Sequence, residues 1–419
     1  MLRIICMVIN YVYEIIYMAI FACFEIYQSR GIYHLYKIPS PTSNPQFHPG
    51  FSPHANKISQ AMNYKSHHTP IIFLTPAFSQ SMATLWNSAL WVLCLLVLCL
   101  AADGYGESTC DLYKGNWVRD DSYPHYRSCR FLEKAFDCQG NGRPDHDYMK
   151  YRWQPGDCNM TRFNGRDFLT RFKGKKVLFV GDSLSLNQWQ SLTCMLYNSV
   201  PRTKYTLFRS GGLSTFTFKE YNLQLSFDRN PFIVDIVRTD AGRALVLDSV
   251  NGSRQLWEDN DVLIFDSWHW WLHTGRKQPW DFIQMGGLTM RDMDRLSAYE
   301  IALKTWAEWA NSSIDPAKTK VFFQGVSPDH ANCSAQREPL RGVDHYRDPA
   351  EEVLEKVIGS MDKMLVRLLN VNEMSRARKD GHPSVYGLGG HRGMDCTHWC
   401  LAGVPDTWNE LLYATLIRE

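Results

Sequence analysis

Three short apolar runs constrain this chain more than any other feature. Residues 176–180 (KVLFV), 261–265 (DVLIF) and 320–325 (KVFFQG) are too short for core helices. They are also too continuously apolar for strands with one wet face, so they read as strands buried on both sides. Helical spacing separates and follows them. Leu296, Tyr299, Leu303, Trp306 and Ala310 recur at intervals of three and four, as do Val353, Leu354, Val357, Ile358, Met361, Leu365 and Leu368. Residues 215–227 alternate in part, as in a hairpin at a sheet edge, and Pro405 and Asp406 open a last helix running to Leu416. Strands alternating with helices predict an α/β/α sandwich around a central, mainly parallel sheet.

The 419 residues divide by texture, with no internal repeat. Residues 1–81 are first apolar but interrupted by Glu14 and Glu25, then rich in Pro, Ser, Asn and His. They read as a disordered or spurious extension, because Met82 makes a natural start. Residues 85–102 carry no charge and are about long enough to span a bilayer, so 82–102 is expected to be a signal anchor. A cleaved signal peptide is the alternative. Residues 103–170 form a Cys- and aromatic-rich subdomain, and 171–419 the α/β domain. A net charge of +2 gives no reason to expect a nucleic-acid partner.

Of 12 cysteines, eight lie beyond the apolar segment: Cys110, Cys129, Cys138, Cys158, Cys194, Cys333, Cys396 and Cys400. That even number predicts disulfides in an oxidising lumen. No tight CxxC pair favours a metal, and none is expected. Asn159, Asn251, Asn311 and Asn332 each begin an N-x-[ST] triplet, in keeping with a luminal domain.

Ligands of open parallel sheets bind beyond the carboxyl ends of the strands. Gly181, Asp182 and Ser183 follow the first run at that end, and residues 184–196 can form a helix. Ser183 would then sit at a strand-to-helix turn, where backbone N–H groups can meet an oxyanion. An ordinary capped turn explains an isolated Gly-Asp-Ser equally well. Asp395 and His398 supply what a serine nucleophile lacks. A carboxylate three residues before an imidazole can fold back on one ring nitrogen and leave the other for a hydroxyl. Cys396 and Cys400 flank that histidine. His269, Trp270 and Trp271 follow the second run and face either the cleft or the core. Gly212, beside Gly211, is a candidate oxyanion donor or a flexible turn. Arg392 is a candidate substrate contact or a solvated surface group.

These motifs resemble the SGNH/GDSL hydrolase plan, and residues 395–410 (DCTHWCLAGVPDTWNE) are similar to a signature of the plant trichome birefringence-like proteins. Residues 110–118 (CDLYKGNWV), 151–153 (YRW), 180–184 (VGDSL) and 269–271 (HWW) fit the same family, so the resemblance covers roughly 108–418. It implies a single-pass type II Golgi membrane protein that O-acetylates cell-wall polysaccharides such as xylan, mannan, xyloglucan or pectin. A secreted, wall-located protein is the alternative. Ser183 would carry the acetyl group, His398 act as base and Asp395 orient it. No tightly bound cofactor is implied, only an acetyl donor such as acetyl-CoA and a polysaccharide acceptor. Two departures stand out: Asp266 where the family often has Asn, and Ala402 where Pro is more usual. An amide at 266 could donate to an oxyanion, whereas an ionised carboxylate could not. Cys396 and Cys400 are each expected to pair with distant cysteines such as Cys333 and Cys138. A carbohydrate acetylesterase and a non-catalytic wall-polysaccharide binder are the competing functions.

Overall fold

Strands that are apolar on both faces must be covered on both faces, and the computed structural model shows how this chain does so. It describes residues 110–342, 347–387 and 393–418. The expected extension (1–81), the apolar segment (82–102) and Arg392 lie outside these residues.

The first described elements are β1 (Gly115–Arg119) and β2 (Tyr151–Pro155), an antiparallel pair. Then come α1 (Gly165–Arg171), β3 (Lys176–Gly181), α2 (Ser183–Ser199), β4 (Tyr205–Ser210), β5 (Leu213–Phe218) and β6 (Leu223–Arg229). Next are β7 (Asp235–Thr239), β8 (Gly242–Val246), α3 (Arg254–Glu258), β9 (Val262–Asp266), β10 (Phe282–Met285) and β11 (Leu288–Met290). The last are α4 (Arg295–Ser313), β12 (Lys320–Gln324), α5 (Pro349–Gly359), β13 (Val366–Leu369), α6 (Asn372–Arg376) and α7 (Val404–Ile417).

Seven strands form the central sheet in the order β13-β12-β9-β3-β6-β5-β4. Its ladders are parallel from β13 to β6 and antiparallel through β5 and β4 at the edge. The three apolar runs are β3, β9 and β12, side by side in the middle. Their alternation divides the core in two. Val177, Phe179, Ile264 and Phe322 pack on one face with Leu192 of α2 and Trp408 and Leu411 of α7. Leu178, Val180, Leu263, Phe265 and Phe323 pack on the other with Leu303 and Trp306 of α4 and Leu354 of α5. The expected α/β/α sandwich is the observed fold.

One expectation about elements needs correction, and one sheet was not foreseen. The spacing from Val353 to Leu368 suggests one helix, but α5 ends at Gly359. Asp362 then makes a turn, its Oδ1 accepting from the Met364 N–H at 2.9 Å, and residues 366–369 join β12 as the edge strand β13. The unpaired edge of β12 claims backbone groups that the helix would otherwise have used. A second sheet, in the order β11-β10-β8-β7, has no counterpart in the sequence reading, because its strands are short and weakly alternating. The edge hairpin at residues 215–227 is present as β5 and β6, with β4 added outside it.

All eight downstream cysteines form disulfides: Cys110–Cys158, Cys129–Cys194, Cys138–Cys400 and Cys333–Cys396. Cys396 and Cys400 thus take the distant partners expected for them. Among the described residues no helix is long and apolar enough to cross a membrane, and no cluster of His, Cys, Asp and Glu could hold a metal ion.

Candidate active site

The end of β3 has room for nothing but glycine. A Cβ on Gly181 would stand 2.1 Å from the Asp266 carbonyl oxygen of β9, its register partner. That close approach brings the chain over the sheet's carboxyl edge and into α2. Asp182 caps the helix, its Oδ1 accepting the Leu184 N–H at 2.8 Å, and is wholly buried. Ser183 is therefore the first residue of a 17-residue helix and lies at its positive end.

The partner comes from the loop before α7. Asp395 folds back on its own backbone, Oδ1 accepting the N–H groups of Thr397 at 3.2 Å and His398 at 3.0 Å. Its Oδ2 lies 2.9 Å from His398 Nδ1, and His398 Nε2 lies 2.7 Å from Ser183 Oγ. An ionised carboxylate can only accept, so Nδ1 carries the proton and Nε2 presents its lone pair to the hydroxyl. Burial disfavours the imidazolium. The hydrogen bond and charge of Asp395, with the charges of Asp182 and Asp329, outweigh it and raise the His398 pKa above its ordinary value. Burial works against ionised Asp395 too, but its bonds to His398 and the two backbone N–H groups hold its pKa below the usual value. A serine hydroxyl bonded to a base that is itself oriented by a carboxylate can form and resolve an acyl ester.

The arrangement opens into a cleft of about 600 Å³ whose lining includes Ser183, Asp395 and His398. His269 and Trp270 line it as well. His269 Nε2 is 3.6 Å from Asp329 Oδ1, and its Nδ1 is 4.0 Å from Asp182 Oδ2. Trp271 does not reach the cleft; it is fully buried, with its Nε1 donating to Ser267 Oγ at 3.1 Å. Gly212 sits at the turn before β5, where its carbonyl accepts from the Arg229 N–H, and does not line the cleft. Asp266 is buried and also absent from the lining, with Oδ2 accepting from Gln324 Nε2 at 3.1 Å. Burial, together with the charges of Asp182 and Glu351, drives its pKa well above the ordinary value, and the side chain does not face the reacting groups. Ser183 opens α2, where the first backbone N–H groups have no intrahelical acceptor and can serve an oxyanion.

Several residues here escaped the sequence reading. Gly387 lines the cleft beside Asp395, and a Cβ there would come within 3.2 Å of Asp395 Oδ2. His382 contacts the His398 carbonyl through Nδ1 at 2.6 Å and stacks on Trp399. Burial, with His330 beside it, lowers its pKa to about 3, so it stays neutral and Nδ1 is the donor. Asn187 bonds the Trp399 backbone in both directions. The available signal was spacing: Asn187 stands four residues after Ser183, one turn on along the helix expected over 184–196.

Residues 160–415 match a GDSL/SGNH-like acyl-esterase family found in Pmr5 and Cas1p, and residues 108–159 match the PMR5 N-terminal domain. The chain is 55% identical to protein trichome birefringence-like 43 of Arabidopsis thaliana over 328 residues, 74% of this chain and 89% of that one. It is 51% identical to trichome birefringence-like 41 of the same plant over 348 residues, 79% and 97% of the two chains. To the Arabidopsis protein trichome birefringence it is 38% identical over 343 residues, 74% and 56% of the two.

Proposed function

The chain belongs to the trichome birefringence-like family, with a GDSL/SGNH-like acyl-esterase domain, and from that premise we propose that it is a polysaccharide O-acetyltransferase. It moves an acetyl group to hydroxyls of a cell-wall polysaccharide of the xylan, mannan or pectin class, through an acetyl-serine at Ser183. The observation that carries this reading is the unbroken line Ser183–His398–Asp395 at the floor of an open cleft.

The steps follow from the geometry. His398 Nε2 takes the Ser183 proton as Oγ attacks the acetyl carbonyl, and the Ser183 N–H receives the developing oxyanion. The tetrahedral adduct collapses, the donor's leaving group takes the proton from His398, and the acetyl ester remains on Ser183. A sugar hydroxyl then gives its proton to His398 and attacks the ester carbonyl. Ser183 leaves and recovers the proton. Asp395 stays ionised throughout and stabilises the imidazolium in both halves. Acetyl-CoA is one candidate donor. Four disulfides and the N-x-[ST] triplets favour the oxidising lumen of the secretory pathway, with the enzyme anchored in the Golgi membrane by residues 82–102.

The test incubates the purified chain with an acetyl donor and deacetylated xylan, mannan or pectin, beside Ser183→Ala. Acetyl gained by the polymer only with Ser183 present supports transfer. Acetate released from acetylated polymer, with none transferred, makes it an acetylesterase instead. Polymer retained with neither reaction leaves a binding protein and overturns the enzymatic reading.

A further inference from the structure

The peptide unit between His398 and Trp399 is held by side chains at both of its polar atoms. Its carbonyl accepts from His382 Nδ1 at 2.6 Å, and its N–H donates to Asn187 Oδ1 at 2.8 Å. Asn187 Nδ2 donates in return to the Trp399 carbonyl at 3.2 Å. Asn187 is fully buried and lies one helical turn beyond Ser183 on the same face of α2. Asparagine is a mediocre helix former, and a buried amide loses stability unless it is bonded. Its presence mid-helix calls for a partner, and that partner is the loop bearing His398.

We propose that Asn187 is a positioning residue for the acyl transfer, referencing the His398 imidazole to the same rigid helix that carries Ser183. The inference rests on the acetyl-serine reading above. The disulfides hold the loop but tie it to other parts of the chain: Cys396 to Cys333 beyond β12, and Cys400 to Cys138 in the N-terminal region. Among the described residues, the other direct hydrogen bond from α2 to residues 395–400 is the Ser183–His398 contact itself. Asp395 and His382 also hold His398, but neither lies on α2. Without Asn187, the only direct hydrogen bond among the described residues from α2 to the loop would be the one that is broken and remade in each half-reaction. A planar amide suits the task because it offers an acceptor and a donor side by side to one residue's N–H and C=O. Two such bonds fix both the position and the rotation of Trp399, and hence the direction in which His398 leaves the backbone.

The test follows single-turnover acylation of the full chain by p-nitrophenyl acetate, reading nitrophenolate release and the acetyl mass on Ser183. It compares wild type, Asn187→Ala, His398→Ala and the double variant. Asn187→Ala is expected to slow acylation about a hundredfold, the scale of a one-ångström misplacement, at unchanged half-saturating donor. In the His398→Ala background it should add nothing, because there is no longer an imidazole to align. Should Asn187→Ala fail to fold, Asn187→Asp keeps the size, lacks the Nδ2 donor and carries the same expectation. Wild-type acylation rates in the folded variant, or an equal loss with and without His398, would overturn the proposal and leave the acetyl-serine reading standing. Absence of acetyl on Ser183 in the wild type would overturn both.

Discussion

Asp395 raises the proton affinity of the imidazole it holds, and that fixes the direction of a pH effect. His398 acts as a base only when neutral, so activity should rise as pH climbs through its raised pKa. Asp395→Asn removes the charge and lets that pKa fall back. The acid limb of kcat/KM for p-nitrophenyl acetate should then move to lower pH, while kcat falls by about 10⁴-fold, as in other triads with this change. A limb that does not move would mean that Asp395 does not set the base. Asp266 gives the opposite kind of prediction. Its folded-state pKa lies well above the unfolded value, so its favourable contribution is present below the ordinary carboxylate range and lost as pH rises through the raised value. Asp266→Asn is nearly the same size and does not titrate. Thermal melts should show the variant gaining on wild type as pH rises above about 4.

At the scale of the element, α2 carries a polar stripe at successive turns: Ser183, Asn187 and Ser191. Each meets the C-terminal segment, at His398, at Trp399 and at Asp406, where Ser191 Oγ donates to Oδ1 at 2.5 Å. Asp406 is buried with a pKa pushed up to about 6, and the Ser191 bond restrains the rise. Ser191→Ala should therefore push Asp406 higher and cost about 1–3 kcal/mol, read as a lower melting temperature. Because a raised carboxyl loses its stabilising contribution as pH rises, the deficit should be larger at pH 7 than at pH 5. This stripe also shows what a sequence discloses. Ser183 was legible because it follows an apolar strand, and Asp395 with His398 because three residues separate carboxylate from imidazole. The direction of Asp266 was not, because it depends on Gln324 of β12, 58 residues away, which draws the carboxyl inward. Trp271 was ambiguous because an exposed and a buried tryptophan look alike in sequence. Its indole is claimed by Ser267 and the core, while adjacent Trp270 is left to the cleft.

Across the whole molecule, the N-terminal region is built into the floor beneath the C-terminal loop. Arg143 Nη1 donates to the His382 carbonyl at 3.0 Å, steadying the residue that holds His398 from behind. Arg378 does the converse from the catalytic domain. Its guanidinium lies 4.3 Å from the Trp117 ring centroid, donates to the Tyr148 carbonyl and forks onto Asp380 at 2.9 and 3.0 Å, with both side chains almost wholly buried. A buried pair adds little over an apolar substitute, but losing one partner strands the other charge. Arg378→Ala should therefore cost about 3–5 kcal/mol in urea unfolding of the full chain. Replacing Asp380 as well should recover part of that loss, because no buried carboxylate is then left without its cation. If the double variant is no more stable than Arg378→Ala, the cost lies in the lost packing on Trp117 and the lost bond to Tyr148. The joint between the two regions would then be held by shape and aromatic contact, with the ion pair incidental.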